Sequence, residues 1–258
     1  MREQKTVEND TKIVTYQSRK KISPMRKAYI LKFIGRCLVL GFCILLGILK
    51  PQEFAVLQDF TGRFSVLHLL WFVWMADMFL QIFYVKNHVP LGSQKLFQQR
   101  YIPVKNEFDG HALREYISRR TKSAYQVFVI YAVGITVLGL LKKTGILNDV
   151  WMLVICVFFY VCDLICVLIW CPFRLMMKNR CCTTCRIFNW DHIMMFTPML
   201  FVKGFFSISL LVMAFAILII WELCVALHPE RFWEKSNAAL KCSECTDKLC
   251  TQYCQKLR

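Results

Sequence analysis

IFNWDHIMMFTPMLFVK, residues 187–203, decides how this chain is organised. It is mostly apolar and about 17 residues long, the lower limit for a helix that crosses a bilayer. Pro198 lies inside it. Proline is tolerated in a membrane helix where neighbours satisfy the carbonyl it frees. If 187–203 crosses, the cysteine clusters on its two sides face one compartment; if it does not, they are separated.

The surrounding composition favours a membrane protein. The chain has 258 residues, of which 57% are hydrophobic and 19% charged. A soluble domain is nearer half apolar and a quarter charged. The apolar residues come in blocks, at 37–49, 64–84, 124–141, 150–171 and 205–227. Helices of about 20 apolar residues span the hydrocarbon core and satisfy their own backbone hydrogen bonds there. The first block is no cleavable signal peptide, because polar and basic sequence precedes it and no small-residue cleavage site follows in GILKPQEF.

Two patterns favour counting 187–203 as a sixth span. One acid lies near the end of the second helix of each successive hairpin, Asp77, Asp163 and Glu222, and a proline follows each, Pro90, Pro172 and Pro229. This reads as three degenerate hairpin repeats. The second pattern is charge. With six spans, 27 of the 33 Lys and Arg residues fall on the side of the N-terminus and 5 on the other, with Arg36 inside the first helix. With five spans the split is only 22 to 10. Cytosolic segments carry the basic excess, so six spans with both termini cytosolic is the better reading.

The expected fold is therefore an all-α polytopic integral membrane protein of six helices. Residues 1–28 form a basic cytosolic tail, 29–84 the first membrane hairpin, and 85–123 a basic cytosolic loop with one amphipathic surface helix. Residues 124–171 form the second hairpin, 172–186 a cysteine cluster, 187–227 the third hairpin and 228–258 a cysteine-rich cytosolic tail. The expected location is the cell membrane. In that setting the net charge of +16 meets anionic lipid headgroups. Nucleic acid is not an expected partner, since no soluble basic domain interleaved with stacking aromatics is present; the sequence names no protein partner. HPERFWEKSN, 228–237, reads as an interfacial helix with Phe232 and Trp233 lying on lipid.

Fourteen cysteines divide into two sets. Cys37, Cys43, Cys156, Cys162, Cys166 and Cys224 sit in apolar helices, where free cysteine packs as a small hydrophobe; Cys171 lies at a helix end, before Pro172. Cys181, Cys182, Cys185, Cys242, Cys245, Cys250 and Cys254 lie in polar sequence on the expected cytosolic side. Disulfides do not persist in a reducing cytosol, so that framework points to a metal or a redox role. Cys182, Cys185, Cys242 and Cys245 form two C-x-x-C knuckles, whose thiolates reach one zinc ion at roughly 2.3 Å. The expected use of zinc is structural, clipping the last hairpin to its predecessor. Cys181, Cys250, Cys254 and His192 are alternate ligands. The tail alone, C-x2-C-x4-C-x3-C, resembles a bacterial ferredoxin run without its closing proline, and an iron–sulfur cluster serving membrane electron transfer is the alternative.

Asp77, Asp163 and Glu222 each lie some 5–7 residues inside the cytosolic end of their helix, about 7–11 Å deep at 1.5 Å per residue. A charged side chain there needs a partner and marks a candidate polar site, for a cation or for protons, of the kind transport proteins use. Arg36 is a candidate counter-charge, and His68 reads as a packing histidine. No P-loop, GxSxG, HExxH or dinucleotide fingerprint occurs, which argues against a nucleotide-driven enzyme. No reaction, substrate or cargo follows from these residues.

Overall fold

The computed structural model describes residues 24–62, 64–83, 95–104, 109–178 and 184–241. Cys181, Cys182, Cys242, Cys245, Cys250 and Cys254 lie outside the described residues. The described chain is nearly all helical, with no strand element among them.

Four helices are long and apolar enough to cross a membrane: α1 (Pro24–Leu49), α3 (Gly110–Lys143), α4 (Asp149–Leu168) and α7 (Phe205–Leu227). A fifth, α2 (Val66–Ile82), is apolar throughout but has 17 residues. Each start has a local cause. Pro24 opens α1 at the position where a missing N–H costs nothing. The Ser65 hydroxyl accepts from the Leu67 N–H while the His68 ring meets the Ser65 backbone, a capping box on α2. Asp109 caps α3 and Asn148 caps α4 through their side-chain oxygens. His68 is thus a structural residue, its other ring nitrogen 2.8 Å from the Phe60 carbonyl.

α3 runs unbroken over 34 residues, a length of about 51 Å, well beyond the ~30 Å hydrocarbon core. The basic surface helix expected in the 85–123 loop is therefore its first turns, and no break occurs at 124. The bundle's outer face is apolar, with Leu38 70%, Val129 60% and Val212 64% exposed. Such side chains cost nothing against lipid tails, where no water is displaced.

α4 is the centre. It packs on α1, on α6 (Asp191–Phe196) and on the 3-10 turn Thr197–Phe201, while α7 packs on α2 and α6. Trp74, Phe196, Phe206 and Trp221 are fully buried at these seams. At one end of the bundle the turn after α1 meets the start of α4, where Gln58 donates to Asp149 at 2.8 Å and Lys142 pairs with Asp149. Gly204 opens α7 at the same end with φ 137°, and a Cβ there would stand 1.8 Å from the Leu57 carbonyl oxygen. Only glycine fits this position.

The 187–203 stretch is not one continuous helix. It is a 3-10 turn (Ile187–Asn189), the six-residue α6 and a second 3-10 turn containing Pro198. Proline has no N–H to give the carbonyl four residues earlier, which is Met194. The Tyr131 hydroxyl of α3 donates to that carbonyl, and Thr197 Oγ1 adds a bond at 2.9 Å. The segment nonetheless runs the length of its partner helix. Trp190 and Arg186 bond Glu222 near the end of α7, whereas Gly204 starts α7 at the opposite end.

The other end of the bundle carries short elements held by polar contacts. Arg120 donates to the Met177 carbonyl at 2.6 Å, ordering the five-residue α5 (Pro172–Met176). Arg231 donates to the Leu96 carbonyl, and Asn237 and Ala238 bond Ile102. Phe232 and Trp233 are buried here, only 5% and 7% exposed, which corrects the expectation that they lie on lipid. Trp233 stacks on Tyr116 at 5.5 Å, and Phe232 meets Trp221 edge-on. The long α3 supplies the Tyr116 surface that covers them.

Candidate functional site

Two of the three acids singled out within the apolar helices stand at one place. Asp163, on α4, accepts from Arg36 Nη1 of α1 at 2.7 Å, and the same nitrogen donates to the Tyr160 carbonyl at 2.7 Å. The guanidinium also lies 3.7 Å from the centre of the Tyr160 ring. A cation held by a carboxylate, a carbonyl and a π-face is well compensated for burial.

Asp77, on α2, faces His192 of α6, with Nε2 to Oδ2 at 3.6 Å. The other ring nitrogen, Nδ1, lies 2.9 Å from Asp191. An imidazole between two carboxylates is the arrangement that holds or hands on a proton. The two clusters are close. A cavity of about 50 Å³ is lined by Lys32, Asp77, Gln81, Asp163, Asp191 and His192 among others. That volume admits a water molecule. Gln81 is 2% exposed, and its Oε1 has no hydrogen-bonding partner among the described residues. It gives the cavity an unused acceptor.

Glu222 is not part of this group. Its carboxylate pairs with Arg186 and accepts from Trp190 Nε1 at 2.7 Å. The guanidinium of Arg186 is almost fully buried, and it sits 5.8 Å from the Trp190 ring centre. That cluster ties the segment before α6 to α7, which is a structural arrangement.

Of the expected cysteine ligands only Cys185 is described. It is buried, and Lys95 donates to its carbonyl at 3.5 Å. The Lys95 ammonium also lies over the rings of Trp221 and Phe232. His192, an alternate ligand by sequence, has both ring nitrogens engaged by carboxylates. Among the described residues no three His, Cys, Asp or Glu side chains converge to hold a metal ion.

Lys32, Gln81 and Tyr160 escaped the sequence reading, in which Asp191 is only a helix cap beside Trp190. Its place in the site could have been found, since an acid and a histidine side by side inside an apolar stretch are costly unless used. Gln81 and Tyr160 carried no signal, being ordinary side chains in apolar helices. Comparison with known protein families, with curated proteins and with solved structures finds no match for this chain.

Proposed function

We propose that this is a multi-pass membrane protein whose working part is the buried acid–base cluster of Asp77, His192, Asp191, Asp163 and Arg36, and that the cluster carries protons. The observation that supports this reading is charge balance around one small cavity. Three carboxylates face Arg36 and Lys32, so neutrality there requires one bound proton, which His192, between Asp77 and Asp191, is placed to hold. Loss of that proton leaves a buried negative charge without a partner, a state the next proton relieves. Intramembrane ionisable groups in such chains mark proton and ion paths. The carboxylates do not converge on a single point as metal ligands do, which suits proton exchange.

Six crossings with both termini cytosolic is the topology we propose. Between Trp190 and Gly204 the chain returns along α7 from Glu222 to Phe205, about 26 Å of helix rise, close to the hydrocarbon thickness. We further propose that Cys182, Cys185, Cys242 and Cys245 hold a structural zinc ion on the cytosolic side. Lys95 supports this by linking Cys185 to Phe232 of the C-terminal segment.

Proteoliposomes carrying a trapped pH-sensitive dye test the proton reading. The wild type is expected to collapse an imposed pH gradient, and D77N and H192N are not, while both variants elute as monodisperse protein. Flux equal in all three, or no flux above that of protein-free vesicles, overturns the proposal. Metal analysis of anaerobically purified protein tests the clip: about one zinc per chain supports it, whereas bound iron or no metal overturns it.

A further inference from the structure

A second and larger cavity, about 380 Å³, opens beside α4 and α5. This is within the roughly 300–1,000 Å³ of small-molecule sites, which are mainly apolar with a few placed polar groups. Five of its lining side chains are aromatic, Tyr131, Phe159, Trp170, Phe173 and Phe188, and two are acids, Asp163 and Asp191. No lysine, arginine or histidine lines it among the described residues. The bases of the acid–base cluster stand elsewhere. Lys32 and His192 line the small cavity, and Arg36 holds Asp163 from α1.

Asp163 and Asp191 line both cavities. Asp163 accepts from Arg36 through Oδ2, and Asp191 meets His192 through Oδ1. The second oxygen of each carboxylate has no hydrogen-bonding partner among the described residues. A neutral occupant of the larger cavity leaves those oxygens against an apolar body, which costs free energy. An organic cation compensates them, and aromatic walls attract such cations. The cluster with its one proton is already neutral, so a further positive charge beside the carboxylates works against that proton.

We propose that the larger cavity binds an organic monocation with an apolar body, a protonated amine or a quaternary ammonium, and that its charge displaces the proton held between Asp77 and Asp191. Cation and proton then compete for one set of carboxylates. This rests on the charge balance of the acid–base cluster but not on proton passage across the membrane. The ionisable groups around the two carboxylates are Tyr29, Lys32 and Arg36 of α1, Asp77 of α2, Tyr131 of α3, Tyr160, Cys162 and Cys166 of α4, His192 of α6, and Cys171 and Cys185. Of these the Cys171 thiol also titrates near neutrality. It is drawn down to about 7, first by the Cys166 thiol and then, against burial, by the N–H groups of Arg174 and Phe173.

Tetraphenylphosphonium, an apolar monocation with no proton of its own, is the probe. Equilibrium dialysis of the full chain in uncharged detergent micelles, against protein-free micelles, measures its affinity from pH 6 to 8. Affinity is expected to rise about tenfold per pH unit, as one proton leaves per cation bound. A pH indicator in weakly buffered protein counts that proton. C171S keeps the slope, and W170A weakens binding equally at every pH. In D191N, Arg36 and Lys32 already balance the two remaining carboxylates, so the variant, eluting as monodisperse protein, binds weakly and without a slope. No saturable binding, pH-independent binding by the wild type, a slope lost in C171S, or wild-type behaviour of D191N each overturns the proposal. The expected binding in a protein that collapses no pH gradient upholds it and sinks the proton-carrying reading alone.

Discussion

Arg36 donates to Asp163 at 2.7 Å, joining α1 to α4 at a depth where neither residue meets bulk water freely. The contact draws its value from mutual compensation, because each charge alone is expensive in a low-dielectric interior. D163L strands the guanidinium and is expected to cost about 3–5 kcal/mol. The double variant R36M/D163L removes both charges and keeps the volume, so most of that stability returns. Unfolding in mixed micelles of increasing denaturing-detergent content measures both. A double variant as unstable as D163L shows that the pair is not mutually compensating.

Tyr131 and Pro198 form a second compensated pair, in which a side chain on α3 replaces a backbone donor that proline lacks. Y131F leaves the Met194 carbonyl with only Thr197, at an expected cost of about 1–2 kcal/mol. In a P198A background residue 198 regains an N–H four residues after Met194, and the cost of Y131F is expected to shrink. The interaction energy from this cycle is the observable, and equal costs in both backgrounds reject the account.

The membrane character of the chain was legible in the sequence, because blocks of apolar residues are a strong signal that needs no tertiary context. The internal structure of 187–203 was not legible. Its break depends on Tyr131, more than sixty residues away, and on Cys156, which donates to the Met195 carbonyl at 3.3 Å. The acids announced themselves by their rarity, but only packing separates Asp77 and Asp163, which share a cavity, from Glu222, which binds Arg186. Equal depth along three helices says nothing about which faces meet. The cysteines of the apolar helices showed the same limit. Cys166 and Cys171 read separately as a packing residue and an undecided helix end, and only the turn at Pro172 brings both to the lining of one cavity.

Gly204 carries the sharpest steric prediction. G204A places a methyl 1.8 Å from the Leu57 carbonyl oxygen and asks for φ 137° of a residue with a Cβ. Backbone is on the other side of the clash, so no side chain can yield. The variant is expected to accumulate poorly and to aggregate on detergent extraction. G134A, where nothing lies within 4 Å, is expected to match the wild type. Size-exclusion profiles of the two variants make the comparison, and a monodisperse G204A protein shows that the α7 start can move away from Leu57.

Cys171 should reveal its environment by its reaction with a neutral alkylating agent across pH. Its thiol is held near 7 by the Cys166 thiol and two backbone N–H groups, against about 8.5 for an ordinary cysteine. The thiolate is the reactive form, so alkylation climbs as pH rises through about 7 and levels off above it. C166A removes the strongest of the stabilising contacts without touching Cys171, so the midpoint moves to higher pH and the rate at neutral pH falls. Peptide mapping after timed labelling isolates residue 171 from the other cysteines. A midpoint near that of a free thiol, unchanged in C166A, means that the two sulfurs do not meet.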